Sequence, residues 1–314
     1  MLPSAAAPTP PKLTAAGVGL FVGFGLSIRS EIDLPELLPG DFERSDVDIK
    51  FGDVPDHLGS CLASGVMFEA SARHFLIKLP TVGKFLLTDG QTITVQPNPG
   101  TDIAVVRGLL LADVIPPLLR QRGLLVLHAG GVLTERGVIL LAGRSGAGKS
   151  SLTAAFVQRG ARLVCDDFAA VRRESDGSWL VSRGVSRIKL WEDAVLALGL
   201  DPSALPRVRP ELKRYYLDVS SSAAPMFSPL TSICLLDTWE GSDVTVQRLT
   251  GQPAFRALRN QIRGVPAATK LGLDALHFRE IAALAGRVPV FSVKRSTRST
   301  HDQSLVDSVL AFAG

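Results

Sequence analysis

Cysteine is scarce in this chain. Cys61, Cys165 and Cys234 are the whole supply among 314 residues, odd in number and widely spaced. That excludes a disulfide framework and a zinc-ligand pattern, and it fits a reducing, cytoplasmic compartment. Concentrated positive charge is also missing. The net charge is +4 and no Lys/Arg run stands out, so nucleic acid is not expected as a partner. Long apolar runs are absent, and none reaches the roughly 20 residues of a membrane-spanning helix. No membrane role is expected. The start of the chain is rich in Ala and Pro and has no basic region before the short apolar stretch Val18 to Leu26, which carries Gly19, Gly23 and Gly25. A disordered tail over 1–12 followed by a strand is expected, rather than a signal peptide.

What is present is enough apolar residue, 46 %, for a sizeable core, and a length that suits two domains. Residues 13–101 read as a smaller, mainly β module. Val18 to Ile28, Val47 to Phe51, Met67 to Ala70, Phe75 to Leu79, Lys84 to Thr88 and Thr92 to Val95 have strand character. Turn signals such as Asp89-Gly90 separate them, and a small antiparallel sheet is expected. Residues 102–122 form a helical connection that Pro116 should divide. Residues 123–314 make up the remaining domain.

That domain is organised around Gly143-Arg144-Ser145-Gly146-Ala147-Gly148-Lys149-Ser150, which matches the phosphate-binding loop pattern. The strand-like Gly137 to Ala142 precedes it and a helix, Ser151 to Arg159, follows. Glycines let the backbone approach phosphates and turn successive N–H groups inward, and the helix start adds its positive end. Lys149 is a point charge for the β- and γ-phosphates. The Ser150 hydroxyl suits Mg²⁺, a hard oxygen for a hard cation. Residues 143–151 are therefore the expected site for a nucleoside triphosphate, with Mg²⁺ as its companion.

One helix and one turn later comes Ala161 to Val171, a strand holding Asp166-Asp167. Neighbours on a strand point to opposite faces, so both carboxylates act at one site only if the strand ends or bends there. Trp179 to Val181 and Ile188 to Trp191 read as a hairpin joined through Arg183-Gly184-Val185. Trp179 and Trp191 on it are packing residues or, alternatively, receive a peptide. Glu192 to Leu200 is helical, and 201–229 is loop-rich and partly basic. Ser232 to Asp237 is an apolar strand ending in a carboxylate. Helices are expected over Pro253 to Arg263 and Leu271 to Ala285, and a strand over Val288 to Val293. Thr300 to Gln303 is a capping box for a last helix burying Leu305, Val306, Val309 and Leu310.

The order of His128, phosphate loop and Val164-Cys165-Asp166-Asp167 resembles the catalytic domain of the HPr kinase/phosphorylase family over about 123–300. Arg183 to Trp191, Arg120-Gln121-Arg122-Gly123 and Ser30 to Pro35 are similar to its kinase-like branch, which includes lasso-peptide precursor kinases. The resemblance implies an α/β fold, with a P-loop kinase domain of HPr-kinase type and a smaller, mainly β N-terminal domain. It implies an ATP- and Mg²⁺-dependent kinase of a Ser/Thr hydroxyl on a peptide or small protein, and a homo-oligomer. Bifunctional members carry Glu-Ile-Arg-Gly, where this chain has Val181-Ser182-Arg183-Gly184. Phosphorylase activity and HPr as substrate are thus not implied.

The roles follow from the chemistry. A carboxylate near the acceptor hydroxyl serves as base. Asp166 is preferred for this, with Asp167 and Ser150 on the metal, and the reverse order of the two aspartates stays open. His128 contacts phosphate or orients Asp166. A basic clamp on the transferring group would come from Arg207, Arg209, Lys213 or Arg214, with Lys213 and Arg214 ahead. Two rival readings remain. One is an NTPase or nucleotide-sensing module with Asp237 as metal carboxylate. The other is a small-molecule kinase.

Overall fold

The computed structural model describes residues 17–209, 211–241, 243–262, 274–296 and 302–313. The expected tail over 1–12 and residues 300 and 301 of the expected capping box lie outside them. Contacts divide the chain into two compact units, with a boundary between Val126 and Leu127. The helical segment 103–121 belongs to the first unit.

The first unit holds β1 (Gly19–Gly23), β2 (Leu26–Ser30), β3 (Leu38–Pro39), β4 (Val47–Phe51), β5 (Ala63–Ser64), β6 (Phe68–Ala70), β7 (His74–Leu79), β8 (Gly83–Thr88) and β9 (Thr92–Pro97). They form one sheet in the order β3-β1-β2-β4-β9-β8-β7-β6-β5. The single strand expected over Val18 to Ile28 is a hairpin, because Phe24 and Gly25 both take positive φ, as a tight primed turn requires. The sheet is mixed, not antiparallel. β4 runs parallel to β2 and to β9, since the chain returns to the edge through β3 before laying down β4.

Helices α1 (Ile103–Leu109) and α2 (Ile115–Gln121) follow, with a π-helical turn over Leu110–Val114 between them. Pro116 and Pro117 stand in the first turn of α2, where a missing N–H costs nothing. Arg107 pairs with Glu36 at 2.9 Å, and Arg122 reaches Asp46 and the Gly90 carbonyl. These bonds bind the helices to the sheet.

Glu69 in β6 collects Lys78 Nζ at 2.7 Å, the Leu58 N–H at 2.8 Å and His57 Nδ1 at 2.7 Å. These donors, Lys78 foremost, hold its carboxyl at about 2, below the usual 4.5. A depressed carboxyl stabilises the fold above its unfolded value and loses that contribution as pH falls through its folded value. The stability gap between the wild type and Glu69→Gln should be full at pH 6 and shrink as pH falls from 4.5 toward 2. Thermal melts of both proteins across this range check it.

From β10 (Leu125–Leu127) the chain enters the second unit. Its strands are β11 (Ala129–Thr134), β12 (Gly137–Gly143), β13 (Arg162–Cys165), β14 (Ala169–Arg173), β15 (Trp179–Ser182), β16 (Arg187–Trp191), β17 (Arg214–Asp218), β18 (Phe227–Trp239), β19 (Thr245–Leu249) and β20 (Val290–Ser296). Its helices are α3 (Lys149–Gln158), α4 (Glu192–Ala197), α5 (Gly251–Arg259), α6 (Asp274–Arg287, shared between the units) and α7 (Asp302–Ala313).

The main sheet runs β14-β15-β18-β12-β11-β13, with β20 also on β18. β18 pairs in parallel with β12 along one edge. On the other it meets β15 at its start and β20, again parallel, further on. The three parallel strands point the same way, and β12 ends at Gly143 beside Leu236 while β18 and β20 run on together to Trp239 and Ser296. In α/β sheets that carboxyl end is where ligands sit. α3 is buried from Leu152 to Val157 against β16, β17 and α7, through Phe156, Ile188, Leu217 and Val306 among others. Burying a side chain such as Phe156 contributes about 1.5–3 kcal/mol.

Two expectations need correction here. Trp179 to Val181 does not pair with Ile188 to Trp191. β15 turns back on β14 through Glu174 to Gly177, and Gly177 takes φ +81° there. β16 pairs instead with β17 as a separate two-stranded sheet. Leu310 is 38 % exposed, whereas Leu305, Val306 and Val309 are buried as expected. It lies at the rim of a cavity of about 580 Å³ beside Phe156 and Arg162.

Candidate active site

The site starts at the end of β12. Gly143 has φ +143°, and a Cβ there would stand 2.4 Å from the Leu236 carbonyl oxygen of β18, so only glycine fits. Its N–H donates to Gln261 Oε1 at 3.1 Å, while the Gln261 carbonyl accepts from the His128 N–H at 2.7 Å. Arg144, Ser145 and Gly146 form an exposed loop, and Gly148 at φ +91° opens α3 with no side-chain cap. Uncapped N–H groups and the helix dipole are thus left facing outward beside the loop. Lys149 folds back over it, donating to the carbonyls of Gly143 at 2.9 Å and Arg144 at 3.0 Å. Ser151 follows in the first turn of α3, half-buried.

The strand expected over Ala161 to Val171 is broken. β13 ends at Cys165, Asp166 and Asp167 occupy a bend, and β14 resumes at Ala169. Asp167 takes φ +75°, so the two carboxylates are freed from strand alternation. Asp166 turns inward and is 6 % exposed. It accepts from Ser150 Oγ at 2.9 Å and from the Lys189 N–H at 3.0 Å. Burial raises its carboxyl above the ordinary value despite these donors, and the neighbouring Asp167 adds to the rise. Asp167 turns outward. Its Oδ1 is 3.7 Å from His128 Nδ1 and its Oδ2 is 3.9 Å from Lys189 Nζ. His128 Nδ1 also lies 2.9 Å from the Asp167 carbonyl oxygen. A carbonyl can only accept, so Nδ1 carries the proton.

The structure brings together residues 143–151, Asp166, Asp167 and His128. Ser150 meets Asp166, the aspartate that the sequence reading preferred as base. Arg214 is placed differently. Its guanidinium lies 5.4 Å from the ring of Trp191, and none of its described contacts is with the loop. Lys213 pairs with Glu192 at 2.8 Å. The arginine at the loop is one the sequence reading missed. Arg295, near the end of β20, donates to the Ala147 carbonyl at 3.3 Å, and its guanidinium stands 2.7 Å from where a Cβ on Gly148 would be. Lys294-Arg295 directly after a predicted strand was the available signal. Lys189 was missed as well. Asp237 is exposed, and its carboxylate takes the N–H of Thr238.

No family model matches this chain, and no curated protein matches its sequence. Among solved structures, it is similar to the HPr(Ser) kinase/phosphatase from Coxiella burnetii, at 11 % identity and a TM-score of 0.33. That likeness covers 59 % of this chain and 93 % of the other. A TM-score of 0.33 is too low to establish a shared fold.

The residues fit a nucleotide and its metal. An uncapped helix start, a lysine held by loop carbonyls and an arginine beside the loop are suited to phosphates. A buried carboxylate bonded to a hydroxyl is suited to a divalent cation. Among the described residues no group of three or more His, Cys, Asp and Glu forms a metal site by itself, so a cation here would also draw on phosphate oxygens. No described helix is long and apolar enough to cross a membrane.

Proposed function

We propose that this chain is an ATP- and Mg²⁺-dependent kinase of a Ser/Thr hydroxyl on a peptide or small protein. The observation that carries the reading is the split of the aspartate pair. Asp166 is buried on Ser150, and Asp167 faces outward between His128 and Lys189. Phosphoryl transfer needs positioning, charge neutralisation and a base, and this arrangement separates the last two.

The roles of the pair are the reverse of the preferred sequence order. Ser150 and Asp166 would hold Mg²⁺, which when bound neutralises charge on the phosphate oxygens. Lys149 and the N–H groups at the start of α3 bind the β- and γ-phosphates. Arg295 adds positive charge at the loop, in the place foreseen for Arg214. Asp167 takes the proton of the acceptor hydroxyl as its oxygen bonds to the γ-phosphorus. The bond to the β-phosphate oxygen breaks, and ADP leaves. His128, bonded to the Asp167 carbonyl, fixes the bend that aims this carboxylate.

A second reading has one observation in its favour. Asp237 follows Leu236, which pairs with Gly143, so it stands beside the start of the loop, although β18 does not end there as expected but runs on to Trp239. An NTPase or nucleotide-sensing module would use it as metal carboxylate. The test is incubation with ATP, Mg²⁺ and a Ser/Thr peptide library, HPr or free serine, read by mass spectrometry. A mass gain of one phosphate on a peptide is the expected result. Transfer only to serine would make it a small-molecule kinase. Loss of turnover in Asp237→Asn with full turnover in Asp166→Asn would overturn the kinase reading.

A further inference from the structure

β16 and β17 form a sheet of their own, and its two faces differ. One face, Ile188, Leu190, Tyr215 and Leu217, is buried against α3. The other is partly open and is paired in the register Arg187↔Asp218, Lys189↔Tyr216 and Trp191↔Arg214. Arg187 stacks over Tyr216 at 4.0 Å, and Arg214 stacks over Trp191 at 5.4 Å. Trp191 is 52 % exposed, and Arg214 Nε has no hydrogen-bond partner. Three cations thus share this face with one acid, Asp218, which spends its Oδ1 on the Ser220 N–H.

The face leads to the aspartate pair. Lys189, in its middle, gives its N–H to Asp166 and holds its Nζ 3.9 Å from Asp167. We infer that this open face docks the acceptor, and that it favours a peptide with a carboxylate side chain two residues from the phosphorylated hydroxyl. The assignment rests on the kinase reading above for what happens at that hydroxyl. The spacing comes from the strand. Arg187 lies two residues to one side of Lys189, and the Trp191/Arg214 pair lies two residues to the other. Two residues of extended chain span roughly 7 Å, so a peptide with its hydroxyl at Asp167 brings its second neighbours to these cations. A planar guanidinium held on an aromatic ring presents its edge to a carboxylate with little ordering left to do.

The test separates docking from transfer. Fluorescein-labelled peptides with one Ser in an Ala/Gly frame carry Glu or Gln two residues to either side. Their binding to the full chain is measured by anisotropy, and their phosphorylation by ATP and Mg²⁺ is measured apart. The Glu peptide should bind about 10-fold more tightly than the Gln peptide at low salt, and the difference should shrink as salt rises. Arg214→Ala should reduce this preference to about threefold or less, and Arg214→Lys should restore part of it. Trp191→Leu, a change at an exposed position, should weaken it too if Arg214→Ala does not fold. Equal binding of the two peptides, or an unaltered preference in folded variants, would overturn the docking surface. Preference without transfer would keep the surface and remove the kinase reading. Transfer without preference would do the opposite.

Discussion

Asp167→Asn should lower phosphoryl transfer by about 10²–10⁴-fold, the usual contribution of a positioned general base. ATP binding should be unchanged. Asn has nearly the size of Asp and is among the few residues that tolerate a left-handed backbone, so the φ of +75° should survive the change. What is lost is the ability to take a proton. The carboxylate is not bonded to Ser150, so the loop and its hydroxyl should stay in place. Initial rates with labelled ATP, beside nucleotide binding by calorimetry, give the answer. A variant with full kcat would remove Asp167 as the base.

Asp166→Asn should have an opposite pair of effects. Turnover should fall about 10²-fold or more, because a neutral amide is a poor partner for a divalent cation. The ligand-free protein should nevertheless melt higher. Burial raises this carboxyl, so its folded value stands above its unfolded one. Such a group favours the fold at low pH and loses that contribution as pH rises from the unfolded value through the folded one. Once the pH is above the unfolded value, keeping this carboxyl buried is a cost that Asn removes. The amide can still serve both neighbours, accepting from the Lys189 N–H and donating to Ser150 Oγ. A gain of 1 kcal/mol would raise the melting temperature by about 2–4 °C for a unit of this size. Scanning calorimetry checks the rise. It should also show a further shift on adding Mg²⁺ with ATP to the wild type and no such shift in the variant. A lower melting temperature without ligand, or a retained ligand shift, would contradict the role given to Asp166.

The parts of the site that were legible in the sequence are the local ones. Strand, loop and helix around Lys149 follow one another without interruption, so residue type and spacing suffice. The bend at Asp166-Asp167 was legible as a condition, because two adjacent carboxylates cannot share a site on a straight strand. Pairing was harder to read. β16 lay close to β15 in sequence, but its partner is β17, beyond a helix and a loop, and no local signal names a distant partner. The same holds for Arg295. It reaches the loop only because β20 lies beside β18 and β18 beside β12, a relation made by the sheet and not by the chain. Mixed pairing in the first unit was missed for a related reason. Strand alternation fixes which face is buried but says nothing about direction.

β18 has a consequence for how the second unit is made during synthesis. Its partners β12 and β15 emerge from the ribosome before it, and β20 emerges last of the three. Until then a long apolar strand, with Ile233, Leu235 and Leu236 on it, has one edge only partly occupied. Such an edge is a template for pairing with another chain. Nascent chains that stop before β20 should be the aggregation-prone intermediates of this protein. The phosphate loop is translated well before β20, and it waits for that strand before Arg295 can close on it.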